Sequence, residues 1–137
     1  MAITSAICNS FKVQILTGTH NFTATSGDTF NLALYTSSAT LDKDTTVYIT
    51  TNEVATATGY TAKGKALTSV TPVLSSDTAV CDFANVSWTS ASFTARGCLI
   101  FNDSVATDPA VCAIDFGGDK TVTSGTFTIE FPAATAG

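Results

Sequence analysis

The chain has 137 residues, 12% of them charged and 45% hydrophobic, with 6 Lys and Arg against 11 Asp and Glu for a formal net charge of −5. That length suits one domain, residues 1–137, with a core of its own, and the scattered cations exclude the basic footprint that duplex DNA or RNA binding needs. So much apolar content at so little charge excludes a disordered chain, and no run approaches the roughly 18 apolar residues of a membrane-spanning helix.

Thr and Ser make up roughly a quarter of the sequence. Thr is β-branched and solvates a sheet face without charge, so the composition points to β-structure with a neutral, adhesive surface suited to an assembly. The N-terminus shows no cationic segment leading into an apolar core, which predicts synthesis in the cytoplasm without a signal peptide.

Ile3, Ile7, Phe11 and Ile15 recur at four-residue intervals, the spacing of one helical face. Thr4 or Ser5 is placed to cap the start and Gly18 to end the run, predicting one short N-terminal amphipathic helix at about residues 5–16. From Thr29 the period changes to two, with Phe30, Leu32 and Leu34 on one face and Asn31, Ala33 and Tyr35 on the other. Asp42, Lys43 and Asp44 mark an exposed turn, Val47–Thr50 is a short strand or part of that excursion, and Glu53–Gly64 reads as linker. Ala66–Leu74 is a strand interrupted by Pro72, which suits an edge or a bulge. Further strands are expected at Thr78–Phe83, Val86–Thr89, Phe93–Ala95, Gly97–Phe101, Ala110–Phe116 and Thr126–Phe131. Short strands with such frequent turn signals indicate an all-β sandwich or jelly roll.

The centre of the chain is Phe93–Thr121, which holds the only arginine, Arg96, together with Cys98, Cys112 and Asp115. Its two apolar runs read as neighbouring central strands, and these four residues form the expected structural spine. Cys8, Cys81, Cys98 and Cys112 are spaced too widely for a CxxC metal or redox motif and are read as reduced, buried thiols. Cys98 and Cys112, on adjacent expected strands, are the first pair to test for a crosslink. Asp115-Phe-Gly-Gly118 carries the letters of a kinase magnesium motif without its accompanying parts, and is read as a strand ending in a turn. No GxSxG elbow appears, His20 is the sole imidazole, and no carboxylate pair or calcium loop stands out. The expectation is a non-enzyme with no cofactor and no metal. Trp88, Phe93 and Tyr60 are read as core or subunit contacts, with a sugar-stacking platform as the alternative.

The segments Met1–Lys12, Gly18–Phe22, Phe30–Leu41, Gly59–Thr61, Phe93–Gly97, Ile100–Asn102 and Ile114–Thr121 resemble a family of small, mostly uncharacterised virion structural proteins of tailed bacteriophages. The resemblance spans nearly the whole chain, although the sequence stops at Phe131–Gly137 where the relatives run on into a further apolar segment. It implies a virion location, with partners among virion proteins and no membrane or nucleic acid. A capsid decoration (cement) protein on the major capsid protein, dimeric or trimeric, is the leading expectation. A neck, tail or fibre-attachment component is the second, and a host-glycan-binding β module the third. Ile7, Phe11 and Ile15 are the expected partner-docking residues.

Overall fold

The computed structural model describes residues 2–57 and 59–133; the expected span at either end of the domain, Met1 and residues 134–137, lies outside them. The fold is all-β, a sandwich with one short N-terminal helix. In chain order it contains β1 (Ala6–Ile7), α1 (Asn9–Leu16), β2 (Phe30–Tyr35), β3 (Lys65–Ala66), β4 (Ser69–Ser75), β5 (Thr78–Phe83), β6 (Val86–Asn102) and β7 (Ala110–Ile129). Five strands form an antiparallel sheet in the order β1-β7-β6-β2-β3, and β4 and β5 form a separate hairpin.

The helix begins later than its apolar spacing predicts. Ile3 bridges Leu41 and Ile7 pairs with Cys112, so the backbone there is extended and α1 starts only at Asn9. Cys8, not Thr4 or Ser5, occupies the N-cap and supplies no side-chain capping hydrogen bond. The C-terminus follows the expectation. Gly18 has φ +77, its N–H donates to Ile15 O, and the Thr19 N–H donates to Gln14 O, the paired bonds that close a helix through a left-handed residue.

β2 is buried along its whole length, because its two faces serve two cores. Phe30, Leu32 and Leu34 pack with Tyr60, Trp88 and Ile100 in the larger one. Ala33 and Tyr35 pack with Ile3, Leu41, Leu99 and Phe101 in the other. Val47–Thr50 forms no strand and contributes a single bridge, Val47 to Pro109.

The two apolar runs of the central stretch do pair, with Cys98 opposite Ile114 and Ile100 opposite Cys112. The segments expected as separate strands, however, merge into one long ribbon of 17 and 20 residues. This ribbon bends. Between the pairs Ala95–Lys120 and Gly97–Asp115, β6 has one residue, Arg96, whereas β7 has four, Phe116 to Asp119. The three extra residues form a bulge, with Gly117 at φ +79, that turns the ribbon through a corner. Two further irregularities, on either side of the Ala91–Gly125 pair, hold Ser90 at φ 48 and Ser124 at φ 46. Phe116 and Phe127 are eleven positions apart, about 36 Å along a straight strand, yet their ring centroids are 6.2 Å apart. The ribbon therefore folds back over its own first half and encloses the larger core, with Ala95 and Cys98 buried on either side of the corner.

Candidate functional site

The β4–β5 hairpin turns at Ser76–Asp77, with Ser76 at φ 53, and Pro72 lies where the register shifts between Val70 and Val73. That is the bulged, edge-compatible position expected of a strand proline. A lone two-stranded hairpin is marginal in water. This one is anchored by buried Phe83 at its base and by the Ala84 N–H donating to Thr68 O. Its remaining residues are partly or fully exposed, Val70, Val73 and Leu74 among the exposed ones.

Between this hairpin and α1 runs a groove of about 450 Å³. Ile7, Phe11 and Ile15 form one wall, Pro72 and Val80 the other, and Ile100, Val111 and Cys112 the floor. No lining side chain is charged. A second cleft beyond β5, reaching Ile114 and Phe131, shares Val80, Cys81, Phe83, Ile100 and Cys112 with the first. The three expected docking residues thus meet at one site. Ile7 is 54% and Ile15 40% exposed, so their apolar surface is available to a partner. Phe11 is half-buried and packs on His20 and Phe22, with ring centroids at 4.9 and 5.9 Å. The hairpin wall was not singled out in the sequence. Its signal was two alternating runs around Ser-Ser-Asp, the pattern of a hairpin with a short turn.

The spine residues separate into two roles. Arg96 Nε donates to Asp115 Oδ1 at 2.9 Å across the corner, and both side chains are partly exposed. The Arg96 guanidinium and the Gly117 N–H hold the Asp115 carboxyl below the usual range. Asp115 therefore shapes a bulge within a continuous strand, a correction to the strand end expected at Asp-Phe-Gly-Gly. Cys98 and Cys112 share a face of the sheet but stand diagonally, since their direct partners are Ile114 and Ile100. Diagonal neighbours are roughly 7–8 Å apart, beyond the usual Cα separation for a disulfide, so this is a poor crosslinking pair. All four cysteines are free. Cys81 is exposed and departs from the expected burial. Burial pushes the thiols up, that of Cys8 to about 11 and that of Cys112 to about 12.

Two polar clusters brace the loops. Glu53 accepts hydrogen bonds from Tyr48 Oη at 2.5 Å, Tyr60 Oη at 2.7 Å and the Lys63 N–H at 2.8 Å. Lys63 Nζ in turn pairs with Asp103 and Asp108, each at 2.8 Å. Trp88 and Tyr60 are 3% and 2% exposed and belong to the core, so neither presents a ring to a sugar. Among the described residues no group of three or more His, Cys, Asp and Glu is placed to hold a metal ion, and no helix is long and apolar enough to cross a membrane.

The chain matches no family model, no curated protein and no solved structure.

Proposed function

We propose that this is a structural protein of a tailed-phage virion, a non-catalytic decoration protein that binds the major capsid protein and stabilises the shell. The observation that carries the reading is the uncharged groove in which Ile7, Phe11 and Ile15 converge with Pro72 and Val80. Apolar surface left open beside a helix with no fully buried residue favours a partner that covers it. The resemblance of the sequence to small virion proteins supports the choice of partner. A contact of standard size buries about 800 Å² per partner, and repetition over a lattice multiplies a modest single-site affinity.

Binding to empty shells tests this. Ile7→Asp and Ile15→Asp place a charge in the groove without entering the core, and each should lower shell occupancy at least tenfold while leaving the fold intact by circular dichroism. Phe11→Asp disturbs the aromatic packing around His20 and is the less clean probe. Wild-type occupancy by both Ile variants would refute the docking assignment. Hundreds of copies per particle place the protein on the shell, whereas six to a few dozen place it at the neck or tail.

A further inference from the structure

His20 is the only imidazole in the chain and is 6% exposed, between the helix and the sheet. Its protonation state follows from its neighbours. Asn102, fully buried, accepts the Ser104 N–H on Oδ1 at 2.9 Å, which fixes the orientation of its amide. Its Nδ2 then has two hydrogens to donate, one to Asp28 Oδ2 at 2.8 Å and one toward His20 Nδ1 at 3.2 Å. Nδ1 must therefore be an acceptor, which leaves the ring proton on Nε2 to donate to Gln14 Oε1 of α1 at 3.0 Å. Phe11, Phe22 and Phe30 surround the ring, with centroids 4.9, 6.4 and 6.1 Å away. Asp28 is the charged side chain that acts on it, and its Oδ2 already accepts from Asn102 and from the Asn21 N–H.

We infer that His20 is a proton-operated latch holding α1 against the sheet. A proton on Nδ1 meets the Asn102 amide donor head-on, and Asn102 cannot turn over without giving up its bond from Ser104. The imidazolium leaves this slot, the Gln14 hydrogen bond is lost, and α1 is released together with Phe11 and Ile15. That part of the groove wall goes with it, while Ile7 stays on β1. The latch stands on its own geometry; only its consequence for partner binding rests on the docking reading above.

Burial lowers the affinity of His20 for a proton below its ordinary value of about 6.5, opposed in part by Asp28. The unfolded or released state then binds the proton more tightly than the latched state. Latching is complete above about pH 6.5, weakens as pH falls from there toward the folded value, and levels off below it.

Hydrogen exchange on the full-length protein from pH 7.5 to 4.5, corrected for intrinsic rates, tests this alongside an NMR titration of the His20 Cε1–H. The α1 opening constant should rise by up to about tenfold per pH unit within the window, in step with the His20 titration, while the β6–β7 amides keep their protection. His20→Gln, which can accept from Asn102 and donate to Gln14, should hold α1 closed and abolish the pH dependence. Opening of α1 that ignores pH, that coincides with global unfolding, or that persists unchanged in His20→Gln overturns the latch. So does titration of wild-type His20 with no change in α1, a readout that does not depend on how the variant folds. Shell binding measured at pH 7.5 tests the docking reading separately, because the latch is closed there.

Discussion

Arg96 Nε and the Gly117 N–H converge on one oxygen, Asp115 Oδ1, at 2.9 and 3.1 Å. The Asp115 N–H donates to Ser5 Oγ at 2.8 Å, so the corner of the ribbon is also tied to the N-terminal segment. Arg96→Met keeps the aliphatic stem and removes the charge. It should speed exchange at the Gly117 amide and lower the melting temperature modestly, with the rest of the sheet unchanged. Because the Asp115 carboxyl is held below its ordinary range, its contribution is present at neutral pH and is lost only as pH falls through that lowered value. A pH scan between 5 and 2 should find wild type and Arg96→Met converging at the acid end.

Among the described glycines, Gly64 has the least room. It has φ +67, and a Cβ there would lie 1.8 Å from Leu32 O and 2.6 Å from Leu32 C, within a buried central strand. Neither atom can move without breaking β2. Gly64→Ala should cost more than about 3 kcal/mol, measured by urea denaturation, or fail to give soluble protein. Gly18→Ala, where a Cβ meets nothing within 4 Å, carries only the left-handed backbone cost of about 1 kcal/mol.

Tyr60 Oη accepts the Leu34 N–H at 2.9 Å and donates to Glu53 Oε1 at 2.7 Å. Burial pushes its phenol well above the usual range, so it remains a neutral donor at any working pH. Tyr60→Phe preserves the ring packing but leaves the buried Leu34 N–H without its acceptor. The expected loss is about 2 kcal/mol, read as a lower urea midpoint with unchanged slope.

The thiols should react in the order of their exposure. Cys81 is exposed, Cys112 half-buried, and Cys8 and Cys98 buried. N-ethylmaleimide on the native protein should modify Cys81 first and Cys98 only after denaturation, as peptide mapping will show. A Cys98–Cys112 linked peptide formed under native oxidation would contradict the diagonal register.

Much of this architecture is legible in the residues. Phe30–Tyr35, Thr78–Phe83 and the pairing of the two central runs follow from alternation and turn chemistry, which act over a few residues. The four-residue spacing of Ile3, Ile7, Phe11 and Ile15 misled for a physical reason. Ile3 and Ile7 are held extended by Leu41 and Cys112, partners 38 and 105 residues away that local periodicity does not register. Ile7, Phe11 and Ile15 nevertheless line one wall of the groove, because apolar side chains share a wall whether helix or strand presents them. The proposed latch was not legible, since Gln14, His20, Asp28 and Asn102 come from separate places in the chain.

By itself, the sequence determined an all-β domain with little charge, one short helix ended at Gly18, and no spaced set of residues marking a catalytic motif. These are properties of composition and of short-range backbone preference, and they survive any arrangement of the strands. Only the tertiary structure decided that separate apolar runs join into one ribbon and that the ribbon folds back on itself at Arg96 and Asp115. It also decided that a groove remains open between α1 and the β4–β5 hairpin. A bulge exists only as a mismatch in count between two paired strands, one residue against four, and a groove only as space between elements. Neither is written in one segment alone.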